Sequence, residues 1–114
     1  MATIKLTTWD RVTISMNVIG ALQISDARTM RKAAKILDAV ELTEEEKAQI
    51  EFRFDEYGAR WKDDDKAESH LWDIEINDPD ALVLLKEKVA NPPRPFLGAQ
   101  RKQVLRLYAE LGIE

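Results

Sequence analysis

Ile50-Glu51-Phe52-Arg53-Phe54 and Trp72-Asp73-Ile74-Glu75-Ile76 each alternate apolar and charged side chains, the period of two that marks a half-buried strand. Between them, Asp55-Glu56-Tyr57-Gly58 reads as a turn and Ala59-Arg60-Trp61-Lys62 as a short middle strand, before a polar run from Asp63 to Ser69. Helix-type sequence flanks this region on both sides. The expected fold is therefore α+β: N-terminal helices, a small antiparallel sheet of two or three strands over about residues 50–76, and two C-terminal helices packed on one face. If Trp72, Ile74 and Ile76 turn inward, Asp73 and Glu75 turn outward, beside Glu51 and Arg53 of the other strand.

Upstream, Thr7 or Thr8 is placed to cap a helix over about 8–19, with Trp9, Val12, Met16 and Ile19 on one stripe and Gly20 as its stop. Val12, Ile14, Met16 and Val18 also fit a strand period, so that alternative stays open. A second helix spans 26–40, capped by Ser25, with Asp26 at its positive end and Met30, Ala33, Ala34, Leu37 and Val40 inward. Its other side carries Arg28, Arg31, Lys32 and Lys35. Thr43-Glu44-Glu45-Glu46 forms a capping box for a short helix that ends near Gln49.

Downstream, Asn77 or Asp78 caps a helix with Pro79 in its first turn and Leu82, Leu85 and Val89 buried, Leu84 flanking. Pro92, Pro93 and Pro95 end it near Asn91 and make a stiff connector. The spacing of Pro92 and Pro95 matches a polyproline ligand pattern, but Phe96 and Leu97 are expected to anchor the turn to the core. A last helix runs from about Ala99 to Leu111 with Val104, Leu107, Tyr108 and Leu111 inward and Arg101, Lys102 and Arg106 outside, closed by Gly112.

At 114 residues, residues 1–114 fit a single domain that needs no metal or disulfide to hold a core. The absence of cysteine excludes thiolate metal sites and cysteine catalysis and agrees with a reducing, cytoplasmic setting. No apolar run approaches the roughly 20 residues of a membrane span, and the start lacks a secretory layout. Charge is uneven: residues 1–40 carry six basic and three acidic side chains, 41–80 five and fifteen, and 81–114 six and three, for net charges of +3, −10 and +3. An acidic centre between basic ends argues against a general nucleic-acid binder and suggests a basic partner, or simply solubility.

No stretch carries a catalytic, metal or nucleotide motif. His70 is the only histidine and reads as an exposed loop residue; Asp63-Asp64-Asp65 lacks the spacing that gathers ligands around calcium. No cofactor is expected. Glu51, Arg53, Trp61, Asp73 and Glu75 are the candidate partner-binding residues, with Trp61 the tryptophan most exposed to a partner and Trp72 in the core. Arg28, Arg31, Lys32 and Lys35 are the candidates for a nucleic-acid alternative. A homo-oligomeric virion or assembly component is a third class, and an enzyme the least supported.

The order Leu6-Thr7-Thr8-Trp9, the basic stretch Arg28 to Lys35, the box Thr43 to Glu46, the aromatic hairpin Phe52 to Trp61, the acidic strand Asp73 to Asn77, the Leu-rich Leu82 to Val89 and Leu107-Tyr108 resembles small phage and prophage accessory proteins. The Pro-rich connector departs from that pattern. The resemblance implies an accessory factor, binding and modulating a host protein, and brings no catalytic residues.

Overall fold

The computed structural model describes residues 2–56, 58–60 and 71–113. Strand β1 (Ala2–Leu6) leads into helix α1 (Thr8–Thr13), which continues as a π-helical turn over Ile14–Val18. Helices α2 (Ala27–Val40) and α3 (Glu44–Gln49) follow, then strands β2 (Arg53–Asp55) and β3 (Gly58–Arg60). Strand β4 (Trp72–Ile76), helix α4 (Pro79–Ala90), a 3-10 turn at Gly98–Gln100 and helix α5 (Arg101–Leu111) complete the described chain.

The α+β class, the small antiparallel sheet and the two packed C-terminal helices hold, but the strand pairing differs from the sequence expectation. β4 pairs with β1, in the register Ile4↔Ile74, Lys5↔Asp73 and Leu6↔Trp72, while β2 and β3 form a separate hairpin. Ala2-Thr3-Ile4-Lys5-Leu6 has the same alternation as β4, and its Ile4 and Leu6 supply the buried partners that Ile74 and Ile76 require. The alternation of Ile50-Glu51-Phe52 belongs instead to the end of α3. There Phe52 N–H donates to Lys47 O (2.9 Å), Glu51 N–H donates to Ala48 O (3.3 Å), and Glu51 takes a left-handed φ of 52°. That arrangement is a Schellman helix stop, with glutamate where glycine is usual.

The inner face of the β1–β4 sheet meets Ala33, Ile36 and Val40 of α2, Ala81, Leu84, Leu85 and Val89 of α4, and Leu107 and Leu111 of α5. Ile36 centres the α2 stripe, so Met30 and Ala34, expected inside, are exposed. Asp26, rather than Ser25, caps this helix, accepting from Thr29 N–H at 2.8 Å, because the first helical residue is Ala27. Capping at Thr43 and Asp78 and the stop at Gly112 follow the sequence reading.

Residues 8–18 are helical, which disposes of the strand alternative, but the buried face is not the apolar stripe. Ile19 N–H donates to Ile14 O at 2.8 Å, an i→i+5 bond that widens the turn. Ile14, Val18 and Ile19 consequently all reach the core, while Met16 is exposed and Trp9 and Val12 are half-buried. The widened turn also brings the backbone of Gly20 against Ser15 O, where no Cβ fits. The Pro-rich connector is held by Phe96, whose ring lies 6.5 Å from that of Trp9, and by Arg94, which donates to Asn17 at 3.5 Å. Leu97, expected to share this anchoring, is exposed because it caps the turn outside the core.

Candidate functional site

β4 is fixed at both ends by polar contacts and presents its charged side chains between them. At its start, Trp72 Nε1–H donates to Thr8 Oγ1 (3.1 Å), and the Arg11 guanidinium lies 5.0 Å from the Trp72 ring centroid. Arg11 is only 3% exposed and spends its donors on Val40 O, Glu41 O and both carboxylate oxygens of Glu46, each at 2.9 Å. A buried guanidinium is tolerable when its donors are met in this way. The guanidinium and the Thr43 cap hydrogen bonds hold the Glu46 carboxyl down at about 2, the guanidinium contributing most.

Beside it, Asp10 is fully buried. Its Oδ2 accepts from Thr7 N–H at 2.9 Å and from Arg106, which also donates to Thr7 Oγ1 at 3.2 Å. Arg106 therefore leaves the exposed basic set in which the sequence reading placed it: it bridges α5 to α1. Sequence reasoning missed Asp10 and Arg11 as interior residues. The available signal was Thr7-x-x-Asp10, a capping box in which aspartate replaces the usual glutamate.

At the other end of β4, Lys35 of α2 pairs with Asp78 at 2.7 Å, and this ammonium is the main cause that draws the Asp78 carboxyl below its ordinary range. Between α2 and the end of β4 runs a groove of about 630 Å³, lined among others by Lys35, Asp38, Glu75, Asn77 and Asp78. Asp73 and Glu75 are exposed on the outer face, opposite Lys5 and Thr3 of β1. Among the described residues no ion pair neutralises Asp38, Asp73 or Glu75.

The structure does not bring all candidate residues together. Glu51 and Arg53 are exposed but belong to the α3 stop and the β2–β3 hairpin, which is a separate sheet from the β1–β4 pair containing Asp73 and Glu75. Trp61, His70 and Asp63 to Asp65 lie outside the described residues. Arg28 and Arg31 are exposed on α2 and Lys32 is half-buried, whereas Lys35 is committed to Asp78. Among the described residues, no three His, Cys, Asp or Glu side chains are grouped to hold a metal ion, and no helix is long and apolar enough to cross a membrane. Comparison of the chain with protein-family models, curated proteins and solved structures returned no match.

Proposed function

We propose that this protein is a non-enzymatic interaction module, acting in the cytoplasm, that binds a basic surface of another protein through the outer face of β4. The observation that carries this reading is the pair Asp73 and Glu75, exposed two residues apart on a strand anchored at both ends, with no ion-pair partner among the described residues. A rigid strand presents fixed charge at little entropic cost, which favours electrostatic docking. In the setting that the phage-protein resemblance implies, the partner is a host protein and the module an accessory or inhibitory factor. Because Lys35 is paired with Asp78, the phosphate-binding alternative rests on Arg28, Arg31 and Lys32.

The test is retention from a bacterial host lysate on the immobilised protein. A discrete retained protein is expected, lost on raising the salt and lost with the double variant Asp73→Lys/Glu75→Lys. Retention that ignores both changes overturns the reading, as does the absence of any retained species.

A further inference from the structure

The backbone of β4 offers more than its side chains. Lys5 N–H donates to the Glu110 carboxylate of α5 at 2.6 Å, so it does not join the ladder to β4. Lys5↔Asp73 is therefore a non-hydrogen-bonded pair, and since such pairs alternate along an antiparallel ladder, Thr3↔Glu75 is another. The N–H and C=O groups of Asp73 and Glu75 consequently point away from β1, toward the edge of β4 that no other described strand occupies. α5 covers the opposite edge of the sheet through Glu110. Among the described residues nothing hydrogen-bonds to the backbone of Asp73 or Glu75 on this side, and a groove opens between Asp38 of α2 and Glu75 and Asn77.

Two donors and two acceptors, repeated every second residue at roughly 7 Å, match one kind of backbone: an extended strand. Charge decides whose. A second copy of this chain would set Asp73 and Glu75 against their own counterparts, and like charges directly opposite destabilise a strand pair. Among the described residues Asp38, Asp73 and Glu75 have no ion-pair partner, while Lys35 is spent on Asp78. Building on the interaction reading above, we propose that the open edge of β4 accepts an extended segment of a partner protein bearing Lys or Arg at alternate positions. The segment adds a third strand to the β1–β4 sheet. Backbone hydrogen bonds then supply register, and the basic side chains lie beside Asp73 and Glu75 and reach Asp38 across the groove.

The probe is the end-capped peptide Lys-Val-Lys-Val-Lys-Val, with a twin of equal charge N-methylated at every backbone amide. Binding is followed by amide chemical shifts and hydrogen exchange of the intact chain. In the free protein Asp73 and Glu75 should exchange faster than Ile74 and Ile76, the unmodified peptide should slow exchange at both, and the methylated twin should bind at least about tenfold more weakly. Glu75→Pro removes an outward N–H without breaking a ladder bond, a position where edge strands accept proline. It should weaken binding roughly fivefold beyond Glu75→Gln, which removes the charge alone. If Glu75→Pro fails to fold, the exchange and methylation readouts on the unaltered chain decide.

Equal binding of the twin, or no binding of either peptide, overturns strand addition while leaving the lysate result, and with it the broader reading, intact. Binding of the peptide indifferent to Asp73→Lys/Glu75→Lys overturns both. Protection of Asp73 and Glu75 in the absence of peptide, together with a dimer in sedimentation, makes the occupant a second copy and overturns the proposal.

Discussion

Replacing Glu46 by Gln isolates the ion pair that holds Arg11 inside the protein. In the native chain Glu46 Oε1 accepts from both Thr43 N–H and Arg11 Nη2, and Oε2 accepts from Arg11 Nη1, all at 2.9 Å. Glutamine keeps an oxygen for the cap but turns an NH₂ toward a guanidinium that can only donate. The carboxyl lies at about 2 rather than 4.5, a depression that at full weight is worth roughly 3 kcal/mol. The Glu46 side chain is 23% exposed, and solvent screening brings the expected loss to about 2 kcal/mol at pH 7. The sign follows from the depressed folded value: the contribution is complete above 4.5 and is lost as the pH falls toward 2. Urea unfolding of both proteins, followed by tryptophan fluorescence, should give a stability difference at pH 3 of roughly half its pH 7 value or less. A difference below about 0.5 kcal/mol at pH 7, less than exposed pairs often give, would refute the assigned role of the pair. So would one that stays constant down to pH 3.

Three further outcomes are expected. Arg106→Met strands the buried Asp10 carboxylate with its cap hydrogen bond alone and should cost about 3 kcal/mol in urea unfolding; adding Asp10→Asn should restore part of it. Gly20→Ala drives a methyl group into Ser15 O and should destabilise by about 2 kcal/mol or more, whereas Gly98→Ala meets open space and should be neutral or gain up to about 1 kcal/mol. Glu51→Gly relieves the left-handed strain at the end of α3 and should raise stability by about 0.5–1 kcal/mol, measurable as a higher midpoint in thermal unfolding.

Local chemistry was legible in the residues themselves. A hydroxyl or carboxylate with a matching residue three positions on defines a cap, as at Thr43 and Glu46. Proline after Asp78 starts a helix, and Gly112 ends one with φ 71°, because these effects act within a single turn. The alternation in Trp72-Asp73-Ile74-Glu75-Ile76 likewise put Asp73 and Glu75 outside, since period two assigns faces without reference to a partner. Alternation does not say which strand lies alongside. Several segments carried it, and burying Ile74 and Ile76 required the apolar pair Ile4 and Leu6 from the start of the chain rather than the residues nearer in sequence. Nor does it separate a strand from a helix stop, which is why Ile50-Glu51-Phe52 had the right period for the wrong reason.

The interior charges mark the same boundary. Arg106 read as a surface residue, and nothing along the chain marked Asp10 or Arg11 as interior, because burying an isolated charge is prohibitive. Only the folded arrangement brings Glu46, the carbonyls of Val40 and Glu41, and Thr7 within reach of them. So the sequence by itself determined helix ends, strand faces and the acidic character of the centre, all consequences of neighbours along the chain. The tertiary structure alone decided that β1 lies beside β4 and that, among the described residues, no strand lies on the opposite edge of β4 where the backbone groups of Asp73 and Glu75 point, because strand partners and buried counter-charges come from residues far apart in sequence.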